Sequence, residues 1–239
     1  MRAVNRSFRD LVDMNQDTII RAILRDTECS GPHAILLRQY PPKDSVYSLT
    51  YAKDIYEIKR TILRVAQVCQ LTTKAKIEAL YCLDYLCATA SHFPFDEIED
   101  IGETTAEFFR HKTFSQYNTF QLQQMLPAAI RLIYKIAELM GIQYQGSVLR
   151  IDDYSRFNRF LLANGVDLIV ELAKRTPVQR EGYMLGARDI EVEIPRIHDE
   201  IIIELHKRGT GLMTEPGIEI QQFFQEEDTY LDIRQSNGE

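Results

Sequence analysis

DIYEIKRTILRVAQVCQLTTKAKIEALYCLDYLCATAS, residues 54–91, is the stretch on which the fold turns. Its first half places Ile55, Ile58, Ile62, Val65, Ala66 and Cys69 on one stripe, while Glu57, Lys59, Arg60 and Arg64 lie largely off it. That spacing predicts an amphipathic helix with one buried face. Thr72 or Thr73 is placed to cap a second helix running to about Ser91. Its Ala79, Leu80, Cys82, Leu83, Leu86, Cys87 and Ala90 cover so much of the circumference that the helix is expected at the centre of the molecule. Together the two predict an αα-hairpin.

Working outward, residues 119–140 carry a long apolar-periodic segment closed by Gly141, with Pro127 expected to kink the helix or begin it. Asp152 or Asp153 is a candidate cap for a helix through Ala163, and Asn164-Gly165 supplies a turn. Asp167 then starts a helix to about Arg175, ahead of Pro177, which makes a second helical hairpin. The acidic run DEIEDIGE opens a helix ending near Lys112, with its negative charge at the favourable end of the helix dipole.

Toward the N-terminus, Phe8, Leu11 and Val12, then Ile19, Ile20, Ile23 and Leu24, recur at helical spacing, with Asp17 a candidate cap for the second run. HAILLRQY and SVYSLTY, separated by PPKD, read as a small β-hairpin over 34–51. Beyond Gly186 the alternation of Ile190, Val192 and Ile194 predicts a strand, and the four-residue repeat of Ile197, Ile201 and Leu205 a short helix over 197–208. After Gly209 no period is sustained, so the remainder is expected as an extended arm. The fold class is therefore mainly α. A bundle-like core of αα-hairpins occupies 1–188, and an acidic strand/helix segment with an extended C-terminal arm occupies 189–239.

Charge is distributed unevenly. Residues 1–109 hold 13 Lys/Arg against 16 Asp/Glu, residues 110–188 hold 11 against 6, and residues 189–239 hold 4 against 13. A basic middle thus precedes a strongly acidic end, and this segmentation bears on partners more than the net −7 does. The 45% hydrophobic and 26% charged content is that of a packed chain rather than a disordered one. Four cysteines, Cys29, Cys69, Cys82 and Cys87, in apolar surroundings are expected as reduced thiols, which suits a cytoplasmic, reducing compartment. MRAVNRSFRDLVDMNQDT lacks the uninterrupted apolar stretch of a signal peptide, and no apolar cluster reaches membrane-spanning length.

Chemical signatures are sparse. His33, His92, His111, His198 and His206 fall in no zinc-binding spacing. Cys82 and Cys87 are not a C-x-x-C pair, and no P-loop, dinucleotide fingerprint or nucleophile elbow is present. No cofactor, metal or catalytic residue is assigned. The acidic run Asp96, Glu97, Glu99 and Asp100 reads as solvated surface, and Glu107 with His111 as a helical surface pair. An enzyme built from carboxylates with His111 or His198 is the weakest of three readings.

The second reading is nucleic-acid binding through Arg156, Arg159, Lys174, Arg175 and Arg180, with Tyr154 and Phe157 as stacking surface. Residues 149–177, LRIDDYSRFNRFLLANGVDLIVELAKRTP, resemble the helix-hairpin-helix elements of some DNA-binding proteins. They depart from them where Asp152-Asp153 replace the glycine-rich turn whose amides bind phosphate, so that family is not assigned. The leading reading is a non-enzymatic assembly or interaction protein. In it Ile218, Ile220, Phe223 and Phe224, interleaved with acids, dock on a protein partner or on a second copy in a homo-oligomer.

Overall fold

The computed structural model describes residues 14–29, 31–42, 47–90, 114–142, 149–186 and 196–209. The expected helix over 96–112, the strand at 190–194, the Phe8–Val12 run and the arm after Gly209 lie outside the described residues. Within them the chain forms nine α-helices and two short 3-10 turns, with no strand. The helices are α1 (Gln16–Cys29), α2 (Ala34–Gln39), α3 (Leu49–Cys69), α4 (Lys74–Ala90), α5 (Thr119–Leu139), α6 (Ile151–Asn164), α7 (Leu168–Ala173), α8 (Pro177–Gly186) and α9 (Ile197–Lys207).

The α3–α4 hairpin forms as its periodicity requires. The Ser48 hydroxyl accepts the Tyr51 amide at 3.1 Å and starts α3. Ile55, Ile62, Val65, Ala66 and Cys69 line its buried face. The helix ends on Gln70, which takes up the left-handed conformation at φ 60°, and the Leu71 amide returns to the Ala66 carbonyl at 2.8 Å. Leu71 is itself buried, so the reversal is locked by an apolar contact as well as a hydrogen bond. In α4 Ala79, Leu80, Tyr81, Cys82 and Leu83 are buried in succession, and the helix is enclosed by α3, α5, α6 and the Gly31–His33 turn.

Helix α5 is the other axis. A reciprocal capping box fixes its start: the Gln121 amide donates to Asn118 Oδ1 at 2.8 Å, and the Asn118 amide donates to Gln121 Oε1 at 3.0 Å. Pro127 therefore lies inside the helix and not at its head. Eleven buried side chains, including Ala128, Ala129, Leu132, Ile133, Ile136 and Ala137, face in several directions, and α4, α6, α7 and α9 pack around them. Helix α9 joins the same core through Ile197, Ile201, Ile202 and Leu205.

Three expectations need correction. The β-hairpin over 34–51 is absent from the described part of that range: residues 34–39 are α2, and α3 begins at Leu49. Ile35 and Leu36 are buried side by side, which a strand with one covered face does not allow, and Leu, Arg and Gln are strong helix formers. Asp17 and Asp152-Asp153 stand within the first turns of α1 and α6 rather than at their caps, where their charge still suits the helix dipole. Asp167 occupies the cap position of α7 without a side-chain cap bond, and that helix ends at Ala173.

Gln70 supplies a direct test of the hairpin. A left-handed backbone costs a non-glycine residue roughly 1–2 kcal/mol. Gln70→Gly is therefore expected to raise unfolding free energy by roughly 0.5–1 kcal/mol, after allowing for the extra freedom glycine gives the unfolded chain. A urea titration that shows no gain would contradict the left-handed reversal.

Candidate functional site

The five cations of the nucleic-acid reading divide into two groups. Arg156 is exposed on α6, its guanidinium 5.7 Å from the centre of the Phe160 ring, while Arg159 on the same helix is half-buried. Lys174, Arg175 and Arg180 gather at the C-terminal end of α7. Lys174 Nζ donates to Glu171 Oε1 at 2.6 Å, and Arg175 Nη1 to Glu171 Oε2 at 2.8 Å. Arg175 also lies over the Tyr183 ring, 4.0 Å from its centre. The two cations hold the Glu171 carboxyl below its ordinary range. Glu171, Lys174, Arg175, Gln179 and Tyr183 line a shallow, open depression.

Arg180 does something different. Its Nε donates to the Leu172 carbonyl at 2.8 Å and its Nη1 to the Leu139 carbonyl at 2.7 Å. Leu139 ends α5 and Leu172 lies in the last turn of α7, so one side chain ties the tails of two helices to α8. The pattern recurs. Arg131 Nε donates to the carbonyl of Cys69, the last residue of α3, at 3.2 Å. Arg208 reaches the carbonyls of Phe114 (3.0 Å) and Tyr117 while its Nε holds Glu204 at 2.8 Å. Among the described cations of the basic middle region, Arg131, Arg175 and Arg180 thus turn toward protein groups.

Two polar clusters are partly buried. Tyr40 donates its hydroxyl to Asp84 Oδ2 at 2.8 Å and packs edge-on against Tyr85. Burial pushes the Asp84 carboxyl up to about 6, against the pull of the Tyr40 hydrogen bond and with the help of the nearby Asp167 charge. In the second cluster His198 Nε2 lies 2.9 Å from Asp199 Oδ1, and Arg196 Nε lies 2.6 Å from Asp199 Oδ2. Burial raises the Asp199 carboxyl, but the His198 ring and the Arg196 guanidinium beside it outweigh that and hold the group low. The Tyr154 ring stands edge-on to His198, 4.7 Å between centres. Asn158 Oδ1 beside them accepts the Ile197 amide at 3.1 Å and thereby caps α9 from α6.

Of the histidines, His33 is buried with its Nδ1 on the Tyr81 hydroxyl, His206 is exposed, and His92 and His111 lie outside the described residues. Glu204 pairs with Arg208. Among the described residues no group of three His, Cys, Asp or Glu side chains gathers as a metal set. Cys69, Cys82 and Cys87 are buried free thiols, and burial pushes Cys69 and Cys82 up to about 12, so little thiolate forms near neutrality. Among the described residues no helix is long and apolar enough to cross a membrane.

Sequence reasoning missed an apolar surface on α8. Val178 and Leu185, 82% and 80% exposed, are the two most exposed large hydrophobic side chains described. Seven residues apart, they point the same way along the helix, about 10 Å from one another. Gly182 lies between them with open space above it, and Met184 and Arg180 face inward. Of the arm's anchors, Ile218, Ile220, Phe223 and Phe224 lie outside the described residues. No protein-family model, curated protein or solved structure matches the chain.

Two measurements follow from these bonds. Arg180→Ala leaves two helix-end carbonyls without their charged donor and is expected to lower stability by about 2–4 kcal/mol, with Arg180→Lys recovering only part because an ammonium lacks the two-pronged geometry. Equal stability of all three proteins in urea would contradict the clamp. For Asp84, the folded protein keeps a proton that the unfolded chain releases, so stability falls as pH rises from about 4 to about 6, by roughly 2–3 kcal/mol. Asp84→Asn keeps an acceptor for Tyr40 and should flatten that slope and raise the melting temperature at pH 7.5. An unchanged slope in the variant would assign the pH dependence to another group.

Proposed function

We propose that this chain is a non-enzymatic assembly protein whose C-terminal segment docks Ile218, Ile220, Phe223 and Phe224 on another copy of the same chain. The observation that carries the reading is the fixed root of that segment. Arg208 grips the turn before α5, so the last described residues, at the end of α9, are held to the body. Thirty residues follow, with seven Asp/Glu against one Arg and four bulky apolar side chains grouped between 218 and 224. Apolar anchors interleaved with acids suit a docking element, because the anchors bury while the acids set orientation and encounter rate. The buried, unpaired thiols favour a reducing, cytoplasmic setting.

Nucleic-acid binding ranks second. It retains the exposed Arg156, but Lys174, Arg175 and Arg180 already carry bonds to protein groups that a phosphate would have to displace. Its mark would be affinity that falls steeply with salt and is lost on charge reversal at Arg156.

Deletion of residues 212–239, with mass measured by light scattering at several salt concentrations, tests the leading reading. The full chain is expected to exceed the mass of one copy and the truncated chain to equal it. The same mass before and after truncation would contradict it.

A further inference from the structure

The two ends of α5 are marked by different partners. Arg208, from which the C-terminal segment departs, binds Phe114 and Tyr117 just ahead of the N-terminal end. Arg180, which seats α8, binds Leu139 at the C-terminal end. A helix of 21 residues separates these points by about 30 Å. The root of the segment and the apolar face of α8 therefore sit at opposite ends of the body.

That separation bears on how the segment can use the face. Ile220, the first residue of the docking stretch, is eleven residues beyond Gly209 and reaches roughly 36 Å only if every residue is fully extended, while the straight line follows the buried α5 and the path must pass round the body. Pro216-Gly217 lies in this path and is a turn-forming pair, so a taut, straight run within one molecule is disfavoured. A neighbouring molecule imposes no such stretch. The spacing is comparable, since Val178 and Leu185 are about 10 Å apart along α8 and Ile220 and Phe224, four residues apart and so on one side of an extended chain, span about 13 Å. Charge is complementary in sign: residues 171–186 hold three Lys/Arg against two Asp/Glu, and residues 210–239 hold one against seven.

We infer that the Val178–Leu185 face of α8 receives Ile220–Phe224 from a second copy, joining molecules head to tail. This rests on the assembly reading above and names its receiving surface. Because donor and acceptor are different patches at opposite ends of the molecule, the contact is heterologous, and its repetition closes a ring or extends a filament.

Two full-length variants test the inference. Val178→Asp/Leu185→Asp disables the face and keeps the segment, while Phe223→Ser/Phe224→Ser does the reverse. Both face positions are exposed, so unchanged circular dichroism and melting are expected of the first. Each variant alone should run as a single copy in light scattering, and an equimolar mixture should form a two-chain species that grows no further. If the face variant assembles like the unaltered chain while the segment variant does not, the α8 assignment is overturned and the assembly reading stands. If the unaltered chain is a single copy at every concentration, both are overturned. If the unaltered chain is a single copy and Val178→Cys/Phe224→Cys forms its disulfide within one chain under high dilution, the segment folds back on its own body and the head-to-tail arrangement is overturned.

Discussion

Burial of α5 on several faces at once is the constraint on which the rest of the molecule depends. Its apolar residues do not keep to one stripe: Ala128, Ala129 and Ile130, then Leu132, Ile133 and Tyr134, then Ile136 and Ala137 are all covered. A helix of that kind must be surrounded. It recruits α4, itself apolar on several faces, α6 and α7 from the second helical hairpin, and α9 from a distant part of the sequence. The alanines at 128 and 129 permit close approach on two sides, and the larger residues fill the spaces between neighbours.

Enclosure creates a second requirement, because the last carbonyls of each helix lose water without gaining an intrahelical donor. Arginines from other elements meet it. Arg131 serves α3, Arg180 serves α5 and α7 together, and Arg208 serves the turn that leads into α5. Each guanidinium offers several donors in a fixed plane, so it can satisfy two carbonyls where a lysine would satisfy them less directionally. The positive charge of the middle region is in this respect architectural.

The central hairpin was legible because its signal is local: one clean stripe on α3, a nearly continuous apolar surface on α4, and a threonine between them. The start of α5 was not, since Pro127 suggested a break and the Asn118–Gln121 box that settles the matter went unread. Helix α8 was missed although Thr176-Pro177-Val178-Gln179 carries a cap-and-proline signature, and the Thr176 amide does donate to Gln179 Oε1 at 3.0 Å. The 34–51 segment is ambiguous in sequence because its aliphatic residues suit a strand as well as a helix, and it is the core contacts of Ile35 and Leu36 that favour the helix. The five cations cluster in sequence. That Lys174, Arg175 and Arg180 would turn toward protein depends on Glu171 and on the ends of α5 and α7, which no local pattern reveals.

The described helical body holds the root of an acidic, apolar-studded sequence at one end of α5 and exposes Val178 and Leu185 of α8 toward the other. Heterologous assembly is the use we propose for that asymmetry. Its most direct measurement is an isotope-filtered nuclear Overhauser experiment on a mixture of two differently labelled preparations of the full chain. The expected result is cross-peaks between the Phe223 and Phe224 rings of one copy and the Val178 and Leu185 methyls of another, fading together on dilution. Cross-peaks confined to a single copy, or methyls that meet no aromatic ring, would contradict head-to-tail docking.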